Sequence, residues 1–155
     1  MRKFLAIVDH SPECRAAVLF AAWRARITQG RLVLLTVLEP IDPALFTMLG
    51  ARAKVEAEAS AQVLLDGFAA TVRSAAGVEP EQRIGEGDVR AAVGRLADED
   101  PEIRVLVLAA GAGRDGPGPL VGSLARGGLA FGGRSLPVTV VPGDLADHEI
   151  AALAQ

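Results

Sequence analysis

Two stretches of the chain gather the residues best suited to chemistry. Nine of the 17 glycines fall between Gly111 and Gly133. Glycines let backbone amides approach an anion closely, and consecutive N–H groups form a nest for phosphate. If Ser123 opens a helix, Gly122, Ser123 and Leu124 offer amides, a hydroxyl and the positive end of the dipole to one anion. The competing reading is a plain Gly/Pro-rich surface loop. The second stretch is Asp9-His10-Ser11, directly after the first apolar run. Asp9 could bind Mg²⁺ beside a triphosphate, or accept a hydrogen bond from a ribose or base. Alternatively, amides of the following helix satisfy its carboxylate.

Neighbouring residues are weaker candidates. Ser11 is first of all an N-cap, and His10 is exposed beside the site. Cys14 lies in the first turn of the same helix, where the dipole could lower its pKa. With no histidine partner beyond His10, a structural thiol is the better reading. Arg114, Arg126 and Arg134 could neutralise phosphates or simply be solvated, and Asp115 opposes an anion. His148, far along the chain, has no assigned role. The run Gly111-Ala112-Gly113-Arg114-Asp115-Gly116 matches a dinucleotide-binding fingerprint. That motif needs a helix opening at the glycines and an acid about 20 residues on. Here Pro117-Gly118-Pro119 intervenes, and no Asp or Glu occurs between Asp115 and Asp144.

The elements that must position these residues alternate. Phe4 to Val8 is a continuous apolar run, suited to a strand buried on both faces. Ser11-Pro12-Glu13 signals a helix start, and Gly30 its stop. Leu32 to Leu38 is the second strand. Asp42 to Gly50 reads as either a lid or a helix lead-in, and Ala51 to Ala75 as a long helix that tolerates Gly67. Gly77 to Ile84, diluted by Pro80 and charges, is expected as an edge strand. Asp88 caps a helix running to about Ala97. Ile103 to Ala110 is the clearest buried strand. A short helix near Leu120 to Leu129, a last strand over Leu136 to Val141 and a tail helix from Asp144 complete the chain.

Five strands alternating with helices imply right-handed crossovers and an α/β fold: a parallel sheet with helices on both faces, in the flavodoxin-like strand order 3-2-1-4-5. Such sheets bind ligands where the strand order reverses, here between the first and fourth strands. With 155 residues, half of them apolar, one domain over residues 1–155 is expected. The net charge of −3 and the lack of a long basic run speak against nucleic acid. A lone cysteine, and an N-terminus without a leader pattern, make the cytoplasm the expected compartment. No run of about 18 apolar residues appears, so no membrane partner is expected.

The set of motifs resembles the universal stress protein family over nearly the whole chain. That family begins with a hydrophobic strand and Val-Asp-Gly-Ser, matched by Val8-Asp9-His10-Ser11. It continues with Leu-Leu-x-Val, matched by Leu34-Leu35-Thr36-Val37, and a glycine turn before the third helix, matched by Gly85-Glu86-Gly87-Asp88. It ends with a glycine motif and a Pro-Val-x-Val-Val strand, matched by Pro137-Val138-Thr139-Val140-Val141. The resemblance implies an adenine nucleotide alpha hydrolase-like fold. It also implies binding of ATP or another adenine nucleotide with Mg²⁺, and slow hydrolysis at most. In the nucleotide-binding branch the glycine motif is Gly, two residues, Gly, nine residues, then Gly-Ser or Gly-Thr. Here Ala110 replaces the first glycine, with Gly111 beside it, and eight residues separate Gly113 from Gly122. By resemblance, Asp9 and the Val37 backbone contact the adenosine half, while Gly113, Gly122 and Ser123 hold phosphates. The family looks dimeric, which implies a homodimer paired through Val138, Thr139, Val140 and Val141.

The runner-up is the same fold without nucleotide, acting as a dimeric interaction module. Nothing resembles a dedicated hydrolase: the glycine loop has no lysine, and no paired acids are poised for a metal. A two-component receiver would need paired acids after the first strand and a late lysine, but the only lysines are Lys3 and Lys54. An ATP-pyrophosphatase-type loop after the first strand would need glycines where His10-Ser11-Pro12 stand.

Overall fold

The computed structural model describes residues 1–155 apart from Ile41 and Leu129. In chain order the elements are β1 (Lys3–Ile7), α1 (Cys14–Ile27), β2 (Arg31–Leu38), α2 (Pro43–Ala76), β3 (Glu81–Glu86), α3 (Val89–Glu99), β4 (Ile103–Ala110), α4 (Pro119–Gly127), β5 (Ala130–Phe131), β6 (Arg134–Ser135), β7 (Val138–Pro142) and α5 (Asp147–Leu153). Five strands form one sheet in the order β3-β2-β1-β4-β7, and every pairing in it is parallel. The expected strand order holds, and it reverses between β1 and β4.

The period-2 alternation of a strand divides the core into two layers. Phe4, Ala6 and Val8 face one layer with Ala17, Leu19, Ala21 and Ala25 of α1 and Leu65 and Val72 of α2. Leu5, Val33 and Leu35 face the other, with Val93 and Leu96 of α3, Leu106, Leu108 and Phe131. Small alanines on α1 let that helix lie close against the central strands. At the amino end of β1, buried Lys3 donates to Asp100 at 2.7 Å and pairs with Glu81 at 3.1 Å, tying β1 to β3 and to the end of α3.

Several boundaries differ from expectation for local reasons. Ser11 does not cap α1. The helix starts later, with Glu13 at the N-cap and no side-chain cap bond. The Ser11 hydroxyl donates to Asp9 Oδ1 at 2.5 Å, in a turn closed by the Asp9 carboxylate on the Ser11 amide ahead of the helix. Asp88 does cap α3, accepting from the Ala91 amide at 2.9 Å. The third strand begins at Glu81 rather than Gly77, since Gly77 is spent as the left-handed C-cap of α2 at φ 66°. It does lie at the sheet edge. Asp42 accepts from the Ala44 amide, and the helix runs from Pro43 with a break at Gly50, so that segment is a helix lead-in. The β5–β6 hairpin, unexpected from sequence, packs on α3. The last strand is Val138–Pro142, with Leu136 buried ahead of it.

Candidate functional site

At the carboxyl ends of β1 and β4 lies a crevice of about 80 Å³. Its lining includes Asp9, Ser11, Glu13, Cys14, Pro117, Gly118, Pro119 and Leu120. Asp9 follows β1 by two residues. Its Oδ1 accepts from the Ser11 amide at 2.9 Å and from the Ser11 hydroxyl, so Ser11 fixes this carboxylate at the rim of the crevice. Cys14 is buried beneath it. Its Sγ donates to the Ile7 carbonyl and accepts from the Asp9 amide, both at 3.4 Å. Burial pushes the thiol up to about 12, and the charges of Asp9 and Glu13 add to that against the opposing Asp9 amide. The helix dipole therefore does not activate Cys14; the residue is a structural pin between β1 and α1.

The segment from Gly111 to Gly118 forms a strap across the end of β4. It is held by the Gly111 amide donating to the Pro117 carbonyl at 3.1 Å and the Gly116 amide donating to the Gly113 carbonyl at 3.3 Å. Gly116 and Gly118 have φ of 80° and 101°, which only glycine adopts without strain. Among the described residues, the amides of Ala112, Gly113, Arg114 and Asp115 donate to no protein acceptor. These four residues are exposed and stand outside the crevice lining, so the expected phosphate nest over them is not brought up to Asp9.

The glycine-serine pair lies elsewhere. α4 opens at Pro119, so Ser123 is in its second turn rather than at its N-terminus. Gly122 donates its amide to the Gly118 carbonyl at 2.9 Å. The Ser123 hydroxyl donates to the Leu120 carbonyl at 2.7 Å and accepts from Arg90 at 3.3 Å. The free amides of the helix start belong to Leu120 and Val121 instead. Pro119 at the first helical position is the sequence signal that marks this start. Leu124 packs into the α3-side core.

Of the other expected site residues, Ala110 ends β4 and accepts the Gly143 amide at 2.9 Å. Val37 sits near the carboxyl end of β2, opposite Gly85, and packs on the α3 layer outside the crevice. His10 lines a separate groove of about 550 Å³ between α1 and α2, with Arg15, Val63, Leu64 and Phe68. Arg114 and Asp115 lie in the strap, and Arg134 is spent on the carbonyls of Ala97, Asp100 and Ile103 at the end of α3.

Two residues with larger parts were not singled out by sequence. Arg90 reaches from α3 to the carbonyls of Gly127, Gly128 and Ala130 and lies over the Phe131 ring, clamping the carboxyl end of α4. Glu13, readable only as a first-turn acid, places its carboxylate against the strap. An acid directly before a helix has many uses, and only the fold reveals this one. Among the described residues no group of three or more His, Cys, Asp or Glu could hold a metal. No helix of the described residues is long and apolar enough to cross a membrane.

This sheet order, with helices on both faces, defines a doubly wound parallel α/β protein. The model of the universal stress protein family matches residues 1–127, and the chain belongs to that family. No curated protein matches it. Among solved structures it is similar to the universal stress protein UspA from Lactobacillus plantarum. That match has 23% identity and a TM-score of 0.71 over 90% of this chain and 97% of that one. It is also similar to a universal stress protein in complex with cAMP (19%, TM-score 0.64, 92% and 98% covered). A third is the universal stress protein from Archaeoglobus fulgidus in complex with dAMP (20%, TM-score 0.62, 91% and 98%). At these identities the likeness is one of fold.

Proposed function

We propose that the protein is an adenine nucleotide-binding regulatory protein whose ligand lies across the ends of β1 and β4, with no dedicated catalysis. The observation that carries this reading is a crevice at the topological switch point whose lining holds both the Asp9 carboxylate and the start of α4, where the amides of Leu120 and Val121 have no protein acceptor among the described residues. A ribose hydroxyl or exocyclic amine suits Asp9, and a phosphate suits the amides at the start of α4. Relatives of the same fold carry cAMP and dAMP, which are adenine nucleotides.

The crevice volume of about 80 Å³ is small for such a ligand, since pockets for small molecules run to about 300 Å³ or more. Binding therefore requires the strap Pro117-Gly118-Pro119 to move outward. The left-handed glycines Gly116 and Gly118 and the exposure of Pro117 and Pro119 make it the part able to do so. Mg²⁺, if used, arrives with the nucleotide's own phosphates beside Asp9, because the described residues offer no group of three or more acids, His or Cys for it.

Calorimetric titration of AMP and of ATP with Mg²⁺ into wild type and Asp9→Ala tests this reading. The expected result is binding to wild type that Asp9→Ala weakens by about tenfold or more, the usual worth of a lost charged hydrogen bond. Absence of heat and of any competition for a fluorescent adenine analogue would leave the interaction-module reading in its place.

A further inference from the structure

Two adjacent rows of α2 side chains line the groove between α1 and α2. One row is Ser60, Leu64 and Phe68; the other is Val63, Gly67 and Thr71. Residues four apart stand one above another on a helix, so the rows run along about 16 Å of its axis. Gly67 notches the second row: a Cβ added there meets nothing within 4 Å. Val63 is 73% exposed, and Leu64 and Phe68 are only half-buried, so the fold itself leaves this apolar surface uncovered. The groove holds about 550 Å³, within the roughly 300–1,000 Å³ of small-molecule sites, and its lining shares no residue with the crevice between β1 and β4.

The rest of the lining is His10 and Arg15, and no acid belongs to it. Both stand at one end of the groove. α1 and α2 each return from the carboxyl end of one parallel strand to the amino end of the next, so they run side by side in the same direction. Arg26 near the end of α1 donates to the carbonyl of Ala76 at the end of α2, at 2.7 Å, which aligns their last turns. Counting back along both helices sets His10 and Arg15 beside the Ser60 end. The Arg15 guanidinium is fixed by Nε and Nη2 donating to Asp147 at 3.2 and 2.7 Å. Its Nη1 donors have no protein acceptor among the described residues.

We propose that this groove binds an unbranched medium-chain carboxylate. The apolar chain lies along Val63, Leu64 and Phe68 and crosses the notch at Gly67, removing that surface from water. The carboxylate lies at the Ser60 end and accepts from Arg15 Nη1 and from His10, a charge-assisted contact. Asp147 offsets part of the Arg15 charge from outside the lining, but it also holds the guanidinium in place, so the free donors are ordered before the ligand arrives. The site is independent of the nucleotide crevice and stands or falls without it.

The experiment measures dissociation constants of decanoate and of 1-decanol by calorimetry for wild type, Arg15→Gln and Gly67→Leu. Gly67→Leu fills the notch at a position with room for a side chain and with better helix propensity, so it folds. The expected result is that wild type binds decanoate more tightly than decanol, and that Arg15→Gln weakens decanoate about tenfold while leaving decanol within about twofold. Gly67→Leu is expected to lose both ligands. The proposal is overturned if wild type does not bind decanoate at millimolar concentration, if it binds both ligands equally, or if Gly67→Leu still binds. It is also overturned if Arg15→Gln leaves decanoate unchanged, or weakens both ligands alike, since Arg15 then only shapes the groove.

Discussion

Asp9 and Ser11 show how far single residues could be read from sequence. That Asp9 would lie at the carboxyl end of the first strand was legible to within two residues, because the apolar run stops at Val8 and the strand ends at Ile7. Ser11 was misread as a helix cap, since an N-cap and a partner for a neighbouring carboxylate use the same residue types. The Lys3 cluster was not legible at all, because its members lie far apart in sequence. Asp100 there has a further consequence. Burial pushes its carboxyl up, but the hydrogen bond from Lys3, the Glu102 amide and the charges of Lys3 and Arg83 outweigh burial and hold it below the usual value of 3.8. A depressed folded pKa stabilises the fold above the unfolded value, and this contribution is lost as pH falls through the lower folded value. Asp100→Asn is expected to lower unfolding free energy by about 1–3 kcal/mol at pH 7 in urea titrations. That deficit should shrink as pH falls below about 4. A deficit unchanged down to pH 2.5 would show that the carboxylate's charge plays no part.

At the scale of elements, the strongly apolar strands were found because continuous Val/Leu runs have few other uses. Beyond the start of α1, the boundaries that slipped involve glycine or proline with two competing roles. Gly77 ends α2 instead of opening β3, and Pro119 opens α4 four residues before Ser123. That early opening moves the helix N-terminus toward Asp9 and removes the Gly-Ser pair from it. The two-residue strands β5 and β6 lie below any periodic signal. Their packing on α3 is nonetheless tight: an added Cβ on Gly94 would meet the Gly132 amide nitrogen at 2.8 Å and the Phe131 carbonyl carbon at 2.9 Å. Gly67, within α2, has nothing within 4 Å. Two glycine-to-alanine changes in helices should therefore have opposite signs. Gly67→Ala is expected to raise unfolding free energy by about 0.5–1 kcal/mol through helix propensity. Gly94→Ala is expected to lower it by about 1–2 kcal/mol, because backbone must shift to admit the methyl and that outweighs the same propensity gain. Equal effects in chemical denaturation would mean that the hairpin does not press on α3.

For the whole molecule, the strand order and the two-layer core follow from alternation, right-handed crossovers and the apolar pattern, and these are why the fold was readable without any one strong motif. The site was read less completely, because its content depends on how a glycine strap at Gly111 to Gly118 folds back on Glu13, far away in the chain, which no local pattern encodes. The same architecture leaves β7 at an edge with Val140 42% exposed, beside β4 on one side only. An apolar edge invites pairing, and we infer a two-fold dimer through Val138 to Val141. Val140→Lys is expected to convert a dimer to a monomer in analytical ultracentrifugation; a wild type that sediments as a monomer at all concentrations would contradict that pairing. The central claim is that the switch point between β1 and β4 receives an adenine nucleotide, and amide chemical shifts of the ¹⁵N-labelled protein during an AMP titration test it most directly. The account predicts saturable shifts concentrated at Asp9 to Ser11, at Ala110 to Val121 and at Gly143. Shifts centred instead on the α1–α2 groove around Phe68, or none at millimolar AMP, would contradict it.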